Sequence, residues 1–245
     1  MDGNVPVLSI ILRGQLAHFR QPDTSITQAT YPFPPRPAML GLLGSILGLE
    51  QSSAAWHDFL KMDHWVGLAL LHPIRTVCAQ MSLLGKGFLG GSGEFNRPTV
   101  VELVVQPHYR LFYSGPMLEQ LETMLREGRS VYHTYLGAAF CLSFPCYEST
   151  WSAEPIAAQE GLEITVSSVA PQEAVARVQI TGGKRYALAR ATPYQHHGDR
   201  TFSGTCTLLY ETSGQPLQLR FHAKTPKPFQ LVRLSPGNGE VICLW

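Results

Sequence analysis

The sequence has no hydrophobic run long enough to cross a membrane. Its longest apolar stretch, residues 38–49, is shorter than the about 20 residues that a membrane-spanning helix needs. The first residues also lack the positive charge that opens a secretory signal, because Asp2 stands there. Hydrophobic residues nevertheless make up 44% of the 245-residue chain, enough to bury a sizeable core. We therefore expect a globular, cytoplasmic protein without membrane contact.

Cysteine is too sparse and too scattered for a disulfide framework or a zinc ribbon. The chain has five cysteines, an odd number, and no CxxC pair. His196, His197 and Asp199 offer possible metal ligands, but adjacent histidines on a strand point to opposite faces. We expect no metal site and no cofactor.

Signatures of the common enzyme classes are incomplete. Gly85, Gly87 and Gly90 match GxGxxG, but the run GGSGEFNRP that follows cannot continue as the helix that a dinucleotide site requires. The run GGSGE misses the GxSxG nucleophile elbow at Glu94. No nucleophile with a partner base can be named, which argues against an acyl-transfer enzyme.

Charge is unevenly distributed, although the net charge is only +1. Residues 177–233 contain nine basic side chains and only two acidic ones, Asp199 and Glu211. Such an excess is typical of a surface that contacts a polyanion. It is equally typical of a solvated basic face balanced by the acidic segment before it, and the sequence leaves both interpretations open.

Hydrophobic periodicity and turn residues predict an α+β fold. The patterns indicate a strand at 5–14, helices at 37–49 and 116–128, one long or broken strand at 65–84, two strands joined at Pro107, and a β-like segment at 139–144. Ser52 or Ser53 can cap a short second helix. This order of strand, helix, strand, strand, helix, strand is typical of a ferredoxin-like unit. Beyond residue 150 strand-like runs alternate with turns, which predicts a β-rich C-terminal subdomain at 151–245.

Three glycines interrupt the helix-length segment that follows the proline-rich run TYPFPPR. Gly41, Gly44 and Gly48 share one face of the predicted helix, so that face can approach another backbone closely. For Gly44 and Gly48 we favour packing on the sheet. For Gly41, in the first turn after Arg36, packing competes with phosphate binding at the positive end of the helix.

A second glycine-rich segment, LLGKGFLGGSGEFNRP at residues 83–98, carries cationic and aromatic side chains. It has five glycines, too many for a core element, together with Lys86, Phe88, Asn96 and Arg97. Single-stranded RNA needs positive charge for its phosphates and aromatic rings for its unstacked bases. The alternative is an ordinary mobile surface loop, and composition alone favours this alternative.

Three runs of the sequence resemble CRISPR-associated protein family 5: HFRQP at 18–22, TYPFPPRPAMLGLLGSILGL at 30–49 and VYHTYLGAAFCLSFP at 131–145. The resemblance covers residues 1–150 in order, and the spelling TYPFPPR is similar to the I-B branch. It implies a ferredoxin-like (RRM-like) palm of the RAMP class at 1–150, with a protruding thumb hairpin at about 79–98, from Ala79 to Pro98. It also implies a role in antiviral defence within a ribonucleoprotein complex, the type I Cascade.

In that complex the resemblance implies a non-catalytic RNA-binding subunit, which grips the 5′ handle of the crRNA and caps the backbone filament. Its partners are then the crRNA, the backbone subunit and the large subunit, with target DNA reached only indirectly. The residues that we expect at the RNA are Arg20, Tyr31, Arg36, Gly41, Lys86, Phe88, Asn96 and Arg97.

The alternative is a metal-independent endoribonuclease that processes precursor crRNA. One branch of the family does this with a tyrosine near the first helix and a Lys-His pair. Tyr31 matches that tyrosine, but the sequence has no Lys-His dipeptide to stabilise and protonate the leaving group. We therefore favour the binding subunit.

The apolar end of the chain, VICLW, leaves two possibilities open. It forms the final strand of the C-terminal sheet, or it docks Leu244 and Trp245 into a partner protein. The resemblance to a filament-capping subunit motivates the second possibility.

Overall fold

The computed structural model describes residues 3–22, 27–85, 95–158, 162–225, 228–236 and 239–245. The helices in these ranges are α1 (Arg36–Leu47), α2 (Ala54–Lys61) and α3 (Leu118–Arg126), with a 3₁₀ turn at Gln172–Ala174. The strands are β1 (Val5–Arg13), β2 (Leu16–Ala17), β3 (Phe19–Arg20), β4 (Thr27–Gln28), β5 (Thr30–Tyr31), β6 (Trp65–Leu70), β7 (Thr76–Gly85), β8 (Phe95–Val105), β9 (His108–Ser114), β10 (Cys146–Ile156), β11 (Glu163–Val166), β12 (Ala170–Pro171), β13 (Val175–Val178), β14 (Tyr186–His196), β15 (Phe202–Glu211), β16 (Leu217–Phe221), β17 (Gln230–Ser235) and β18 (Val241–Leu244). None of these helices has the length and hydrophobicity that a membrane crossing requires.

Proline and glycine set the two ends of α1. Pro35 precedes the helix, and Pro37 lies in its first turn, where the missing N–H has no intrahelical partner to lose. Gly48 follows the last turn with φ +77°, the left-handed conformation that favours glycine. The expectation that Gly48 packs from within the helix is therefore wrong, because Gly48 ends the helix instead.

The two shorter helices also have local signals at their ends. Of the two serines proposed as caps, Ser53 caps α2, and its hydroxyl accepts a hydrogen bond from the N–H of Trp56 at 3.1 Å. The amphipathic α3 buries Leu118, Leu121 and Leu125 and ends before Gly128. These helices confirm the helical segments that the sequence predicted, within a few residues at their ends.

A six-stranded sheet forms the centre of the molecule, in the order β18-β17-β10-β1-β9-β6. Every neighbouring pair is antiparallel. The four strands β10-β1-β9-β6 come from the chain order strand, helix, strand, strand, helix, strand, with β7 and β8 inserted between β6 and β9. The α+β class predicted from the sequence is confirmed.

The C-terminal part consists of strands that return to the first sheet. Two three-stranded sheets, β11-β16-β13 and β12-β15-β14, precede β17 and β18, which extend the central sheet beside β10. The division predicted after residue 150 falls inside β10, so this one strand belongs to both halves of the sequence.

The chain end closes the central sheet on itself. Trp245 exchanges two backbone hydrogen bonds with Val66 of β6, at 2.9 and 3.3 Å, so the two edges of the sheet meet there. Leu244 and Trp245 are 0% and 2% exposed. The possibility that these residues dock into a partner is therefore wrong, and they belong to the protein's own core.

Of the two alternatives for residues 65–84, the broken strand is confirmed, because residues 71–75 interrupt it and contain Pro73, which has no N–H for a ladder. Another strand prediction is wrong. The β-like segment at 139–144 is a loop with a single bridge between Tyr135 and Leu142, and β10 begins only at Cys146.

The main core lies between the central sheet and the helices. It contains Leu8, Ile10 and Leu12 of β1 and several buried residues of α1. Gly44 of α1 faces the indole of Trp56, which lies 2.5 Å from the position that a Cβ atom would take. The predicted packing role of Gly44 is thus confirmed, although its partner is α2 and not the sheet.

Candidate nucleic-acid interface

The segment expected to form the thumb contains a long β-hairpin. Strands β7 and β8 pair continuously from Thr76 opposite Val104 to Gly85 opposite Phe95. Asn96 and Arg97 lie on β8 towards the far end of this ladder, and the Arg97 side chain is exposed. Lys86 and Phe88 lie outside the described residues.

The lower part of the hairpin is fixed to the body of the protein. Val101, Leu103 and Val104 of β8 are buried, and β2 and β4 pair with the same strand. The Glu102 carboxylate accepts a hydrogen bond from the Thr30 backbone N–H at 3.0 Å. The base of the hairpin is therefore rigid, which positions whatever its far end carries.

Tyr31 lies inside the protein and not on an RNA-facing surface. Its ring is 3% exposed, and its hydroxyl donates a hydrogen bond to the Ala191 carbonyl of β14 at 2.9 Å. A base cannot stack on a ring that is enclosed in this way. Tyr31 is also the residue that matches the tyrosine of the endoribonuclease alternative, which stays untested.

Arg36 links α1 to two distant segments. Its guanidinium donates to the His64 carbonyl at 2.9 Å and to the Tyr194 carbonyl at 3.4 Å, and it lies over the Tyr194 ring at 5.2 Å. Burial lowers the pKa of Arg36 from its ordinary value. These contacts turn Arg36 towards β14 and the segment after α2.

Gly41 is exposed, and no atom lies within 4 Å of the place where its Cβ would be. It also lies beyond the first turn of α1, where the amides of Ala38 and Met39 already donate to the Pro35 carbonyl. The free amides that would make a phosphate site at this helix end are thus largely used.

Arg13 at the end of β1 and Arg20 on β3 are both exposed, and the strip of chain between them is formed by residues 13–20. β3 pairs with β5, and Thr30 of β5 contacts the hairpin through Glu102. The structure therefore brings Arg20 to the base of the hairpin. It turns Tyr31 and Arg36 away towards β14.

A second exposed feature was missed as a binding surface by the sequence reasoning. Residues 131–144, here called the aromatic loop, expose six large apolar side chains between α3 and β10. They are Val131, Tyr132, Tyr135, Phe140, Leu142 and Phe144, each between 46% and 73% exposed. Exposed apolar patches mark interaction sites in proteins, and this loop supplies six exposed apolar side chains within 14 residues.

Buried residues of the same loop hold it in shape. Leu136 and Cys141 share a backbone hydrogen bond of 2.8 Å, and the Ser143 amide donates to the Thr134 carbonyl at 3.0 Å. All four are at most 4% exposed, so they face inwards while their neighbours face solvent. This alternation of enclosed small residues with aromatic residues is the signal that was available in the sequence.

The loop is fixed against the strip that carries Arg13 and Arg20. The Ser143 hydroxyl donates to the Arg13 carbonyl at 2.9 Å, and the His18 amide donates to the Leu136 carbonyl at 3.0 Å. Gly137 has φ +87°, and a Cβ atom there would lie 2.0 Å from the His18 carbonyl oxygen. These contacts fix the backbone of the aromatic loop against the strip of chain that contains the two exposed arginines.

The basic segment at 177–233 is partly neutralised by acidic neighbours. Arg220 lies 3.7 Å from Glu163, and Arg233 lies 3.7 Å from Glu154. These two arginines fit the balanced basic face, one of the two interpretations left open by the sequence. Within the described ranges, no group of three His, Cys, Asp or Glu side chains is arranged to hold a metal ion.

Comparisons with known proteins agree with the predicted resemblance. Residues 7–67 match the family model described as CRISPR-associated protein (Cas_Cas5). A chain of the structure named "CRISPR RNA-guided surveillance complex" superimposes with a TM-score of 0.54 at 11% identity, over 86% of this chain and 90% of that chain. A CRISPR protein from Archaeoglobus fulgidus gives a TM-score of 0.55 at 11% identity, over 97% and 98% of the two chains. No curated protein sequence matches this one.

At such low identity the two structural likenesses show the fold alone. The family resemblance drawn from the three sequence runs is confirmed by the family model, whose match lies within the N-terminal part of the chain. The assignment to an I-B-like branch stays a prediction.

Proposed function

We propose that this chain belongs to CRISPR-associated protein family 5 and is the subunit of a type I Cascade complex that holds the 5′ handle of the crRNA. The family-model match over residues 7–67 and a fold shared with a chain of the structure named "CRISPR RNA-guided surveillance complex" support this role. In this proposal the strands β10-β1-β9-β6 with their helices are the ferredoxin-like palm. The β7-β8 hairpin is the thumb.

The observation that carries the proposal is that the aromatic loop, with its exposed rings, is hydrogen-bonded to the strip of chain that contains the exposed Arg13 and Arg20. Exposed rings offer stacking platforms for unpaired bases, and arginines offer charge to phosphates. Stacking tolerates any base, so the aromatic loop supplies affinity for single-stranded RNA. The hairpin, fixed at its base by Val101 and Leu103, supplies a rigid projection against which the strand bends.

The same proposal makes the protein a binding subunit and not an enzyme. Tyr31 is enclosed and hydrogen-bonded to a carbonyl, and the sequence has no Lys-His dipeptide. Maturation of precursor crRNA is then the task of another protein. The chain caps the backbone filament, with the backbone subunit and the large subunit as its neighbours and target DNA reached only through them.

The test replaces three exposed rings with alanine: Tyr135→Ala, Phe140→Ala and Phe144→Ala in one variant. The matched control is Ile180→Ala with Leu162→Ala, which removes exposed apolar side chains from the C-terminal part. Both variants are reconstituted into the complex, and filter binding measures retention of RNA with and without the natural 5′ handle.

We expect the loop variant to lose affinity for handle-bearing RNA, since each stacked ring contributes about 1–3 kcal/mol. The control variant should retain it. The loop variant could instead bind RNA normally and fail to join the complex. That result would show that the loop contacts a protein partner, and it would contradict the proposed RNA contact. Specific cleavage of precursor RNA by the wild-type chain alone would contradict the non-catalytic role.

A further inference from the structure

A cleft of about 500 Å³ lies between α2, with the segment that follows it, and the end of β14. Its lining includes one arginine, one lysine and four histidines. These residues are Arg36, His57, Lys61, His64, His196 and His197. The cleft is separate from the hairpin and the aromatic loop, and the function proposed above does not use it.

His196 is the most unusual member of this set. It is 9% exposed, and its ring packs against Phe202 at 4.7 Å and against Trp56 at 5.6 Å. Neither ring nitrogen has a hydrogen-bond partner among the described residues. An imidazole carries one N–H donor when neutral and two when protonated, and leaving such groups unpaired in a protein interior is unfavourable. A ligand in the cleft would supply the missing acceptor.

Arg36 has an unused donor in the same cleft. Its two terminal nitrogens donate to the carbonyls of His64 and Tyr194, which holds the guanidinium in a fixed orientation. The remaining N–H, on Nε, is buried without a partner. Two buried donor groups without acceptors therefore line one cavity.

The wall opposite Arg36 is also held in place. The turn after β14 packs on α2 through Gly198, where a Cβ atom would lie 2.4 Å from Nε2 of His57. His197 Nε2 lies 2.5 Å from the Ser203 hydroxyl, and His57 Nδ1 lies 2.8 Å from the Ser53 carbonyl. The His57 proton in the neutral form thus belongs on Nδ1, and Nε2 becomes a donor only when the ring is charged.

We infer that this cleft binds a phosphate group carried by RNA or by a free nucleotide. Donors stand on both sides of the cleft, on α1 and α2 and on β14. A phosphate presents acceptor oxygens in several directions, whereas a carboxylate presents two oxygens in one plane. Lys61 is exposed and paired only with Asp58, a surface pair that a stronger anion easily replaces.

The charged groups around His196 predict how binding depends on pH. Burial lowers the pKa of His196, and His197 and His57 lower it further, while Asp199 raises it. Asp63, Lys61 and Arg36 complete the charged lining. A bound phosphate would stabilise the protonated ring and raise this pKa, so binding should weaken as the pH rises through the histidine range.

The test uses the full chain and three probes: inorganic phosphate, uridine 5′-monophosphate, and a short RNA with or without a 5′-terminal phosphate. Calorimetric titration measures the affinity for each. The variants are His196→Phe, which keeps the ring stacking, and Lys61→Gln, which lies at an exposed site where folding is not at risk. His222→Phe, at an exposed histidine elsewhere, is the matched control.

We expect saturable binding of the phosphate-bearing probes, weakened at least tenfold in His196→Phe and in Lys61→Gln and unchanged in His222→Phe. A requirement for the terminal phosphate would identify an RNA end as the ligand, and equal binding without it would identify an internal phosphodiester. The inference is overturned if no probe binds, if an acidic peptide binds as tightly as the phosphate probes, or if both cleft variants bind like wild type. Because the aromatic-loop variant leaves the cleft intact, this result is independent of the RNA-handle experiment.

Discussion

The hydroxyl of Tyr31 donates a hydrogen bond to the carbonyl of Ala191, 2.9 Å away and 160 residues further along the chain. Ala191 has φ +52° and lies where the pairing of β14 with β15 shifts register. The irregularity of β14 thus leaves the Ala191 carbonyl outside the strand pairing, and the Tyr31 hydroxyl supplies its hydrogen bond. The proline-rich N-terminal run is in this way joined to the C-terminal sheets.

Replacing this tyrosine should therefore affect stability and not RNA binding. We expect Tyr31→Phe to lower the free energy of unfolding by about 1 kcal/mol, because the ring keeps its packing but the Ala191 carbonyl loses its partner. Urea denaturation measures the change. An unchanged stability together with weakened RNA retention would return Tyr31 to the RNA contacts named from the sequence.

The thumb should hold RNA without supporting the fold. The five glycines of residues 83–98 predict a segment with few core contacts. Replacing Lys86, Phe88 and the exposed Arg97 with alanine should therefore leave the melting temperature unchanged. Retention of handle-bearing RNA in the complex should fall, and each lost phosphate contact should reduce the log–log salt slope by about 0.7. Filter binding at two salt concentrations measures both effects. If the variant and the wild type retain this RNA equally well, the hairpin does not contribute to RNA binding.

Two glycines of α1 offer a matched pair of substitutions. Gly41 has open space around its Cβ position, so Gly41→Ala should stabilise the helix by about 0.8–1 kcal/mol. At Gly44 the Cβ would lie 2.5 Å from the Trp56 ring, so Gly44→Ala should destabilise the protein, by about 1–3 kcal/mol. Thermal melts of the two variants should therefore move in opposite directions. A shift in the same direction would contradict the packing described for α1 and α2.

Retention of RNA by Gly41→Val tests the earlier expectation for this position. A β-branched side chain at an exposed helical site costs little stability. Weakened RNA binding by a folded Gly41→Val protein would support contact near this helix, and normal binding would leave Gly41 without a role.

Glu211 should make stability depend on acidic pH. Burial by itself raises the pKa of this carboxyl, but hydrogen bonds from the amides of Arg185, Gln215 and Ser213 and from the Ser213 hydroxyl outweigh it and hold the pKa below 4.5. Because the folded pKa is lowered, the stabilisation is present above the unfolded pKa and is lost as the pH falls through the folded value.

The corresponding experiment compares Glu211→Gln with the exposed control Glu119→Gln. We expect Glu211→Gln to lose about 1.5–3 kcal/mol at neutral pH, since hydrogen bonds to a charged acceptor are the stronger kind. The difference from wild type should shrink as the pH falls below 4, and Glu119→Gln should behave like wild type throughout. The melting temperatures of the three proteins are measured across this pH range. If the stability difference between Glu211→Gln and the wild type does not change with pH, the carboxylate charge is not responsible for it.

Much of the fold could be predicted because its signals are local. Pro37 marks the start of α1 and Ser53 marks the start of α2, since each acts on backbone groups within a few residues. The hairpin was expected from the family resemblance and not from a local pattern. Arg20 is exposed, and its contact with RNA, like the contacts of Lys86 and Phe88, stays a prediction.

What the sequence by itself determined is therefore the α+β class, the positions of the three helices and a resemblance to one protein family. Only the tertiary structure decided which side chains are available to a ligand. The sequence predicted Tyr31 and Arg36 as RNA contacts, but in the structure both are bonded to carbonyls of β14. It left Trp245 as a possible docking residue, but in the structure Trp245 pairs with Val66. The exposure of the aromatic loop and the lining of the His196 cleft were likewise decided by the tertiary structure. Exposure depends on which distant segments pack against a residue, and no local pattern encodes a contact between residues 160 positions apart.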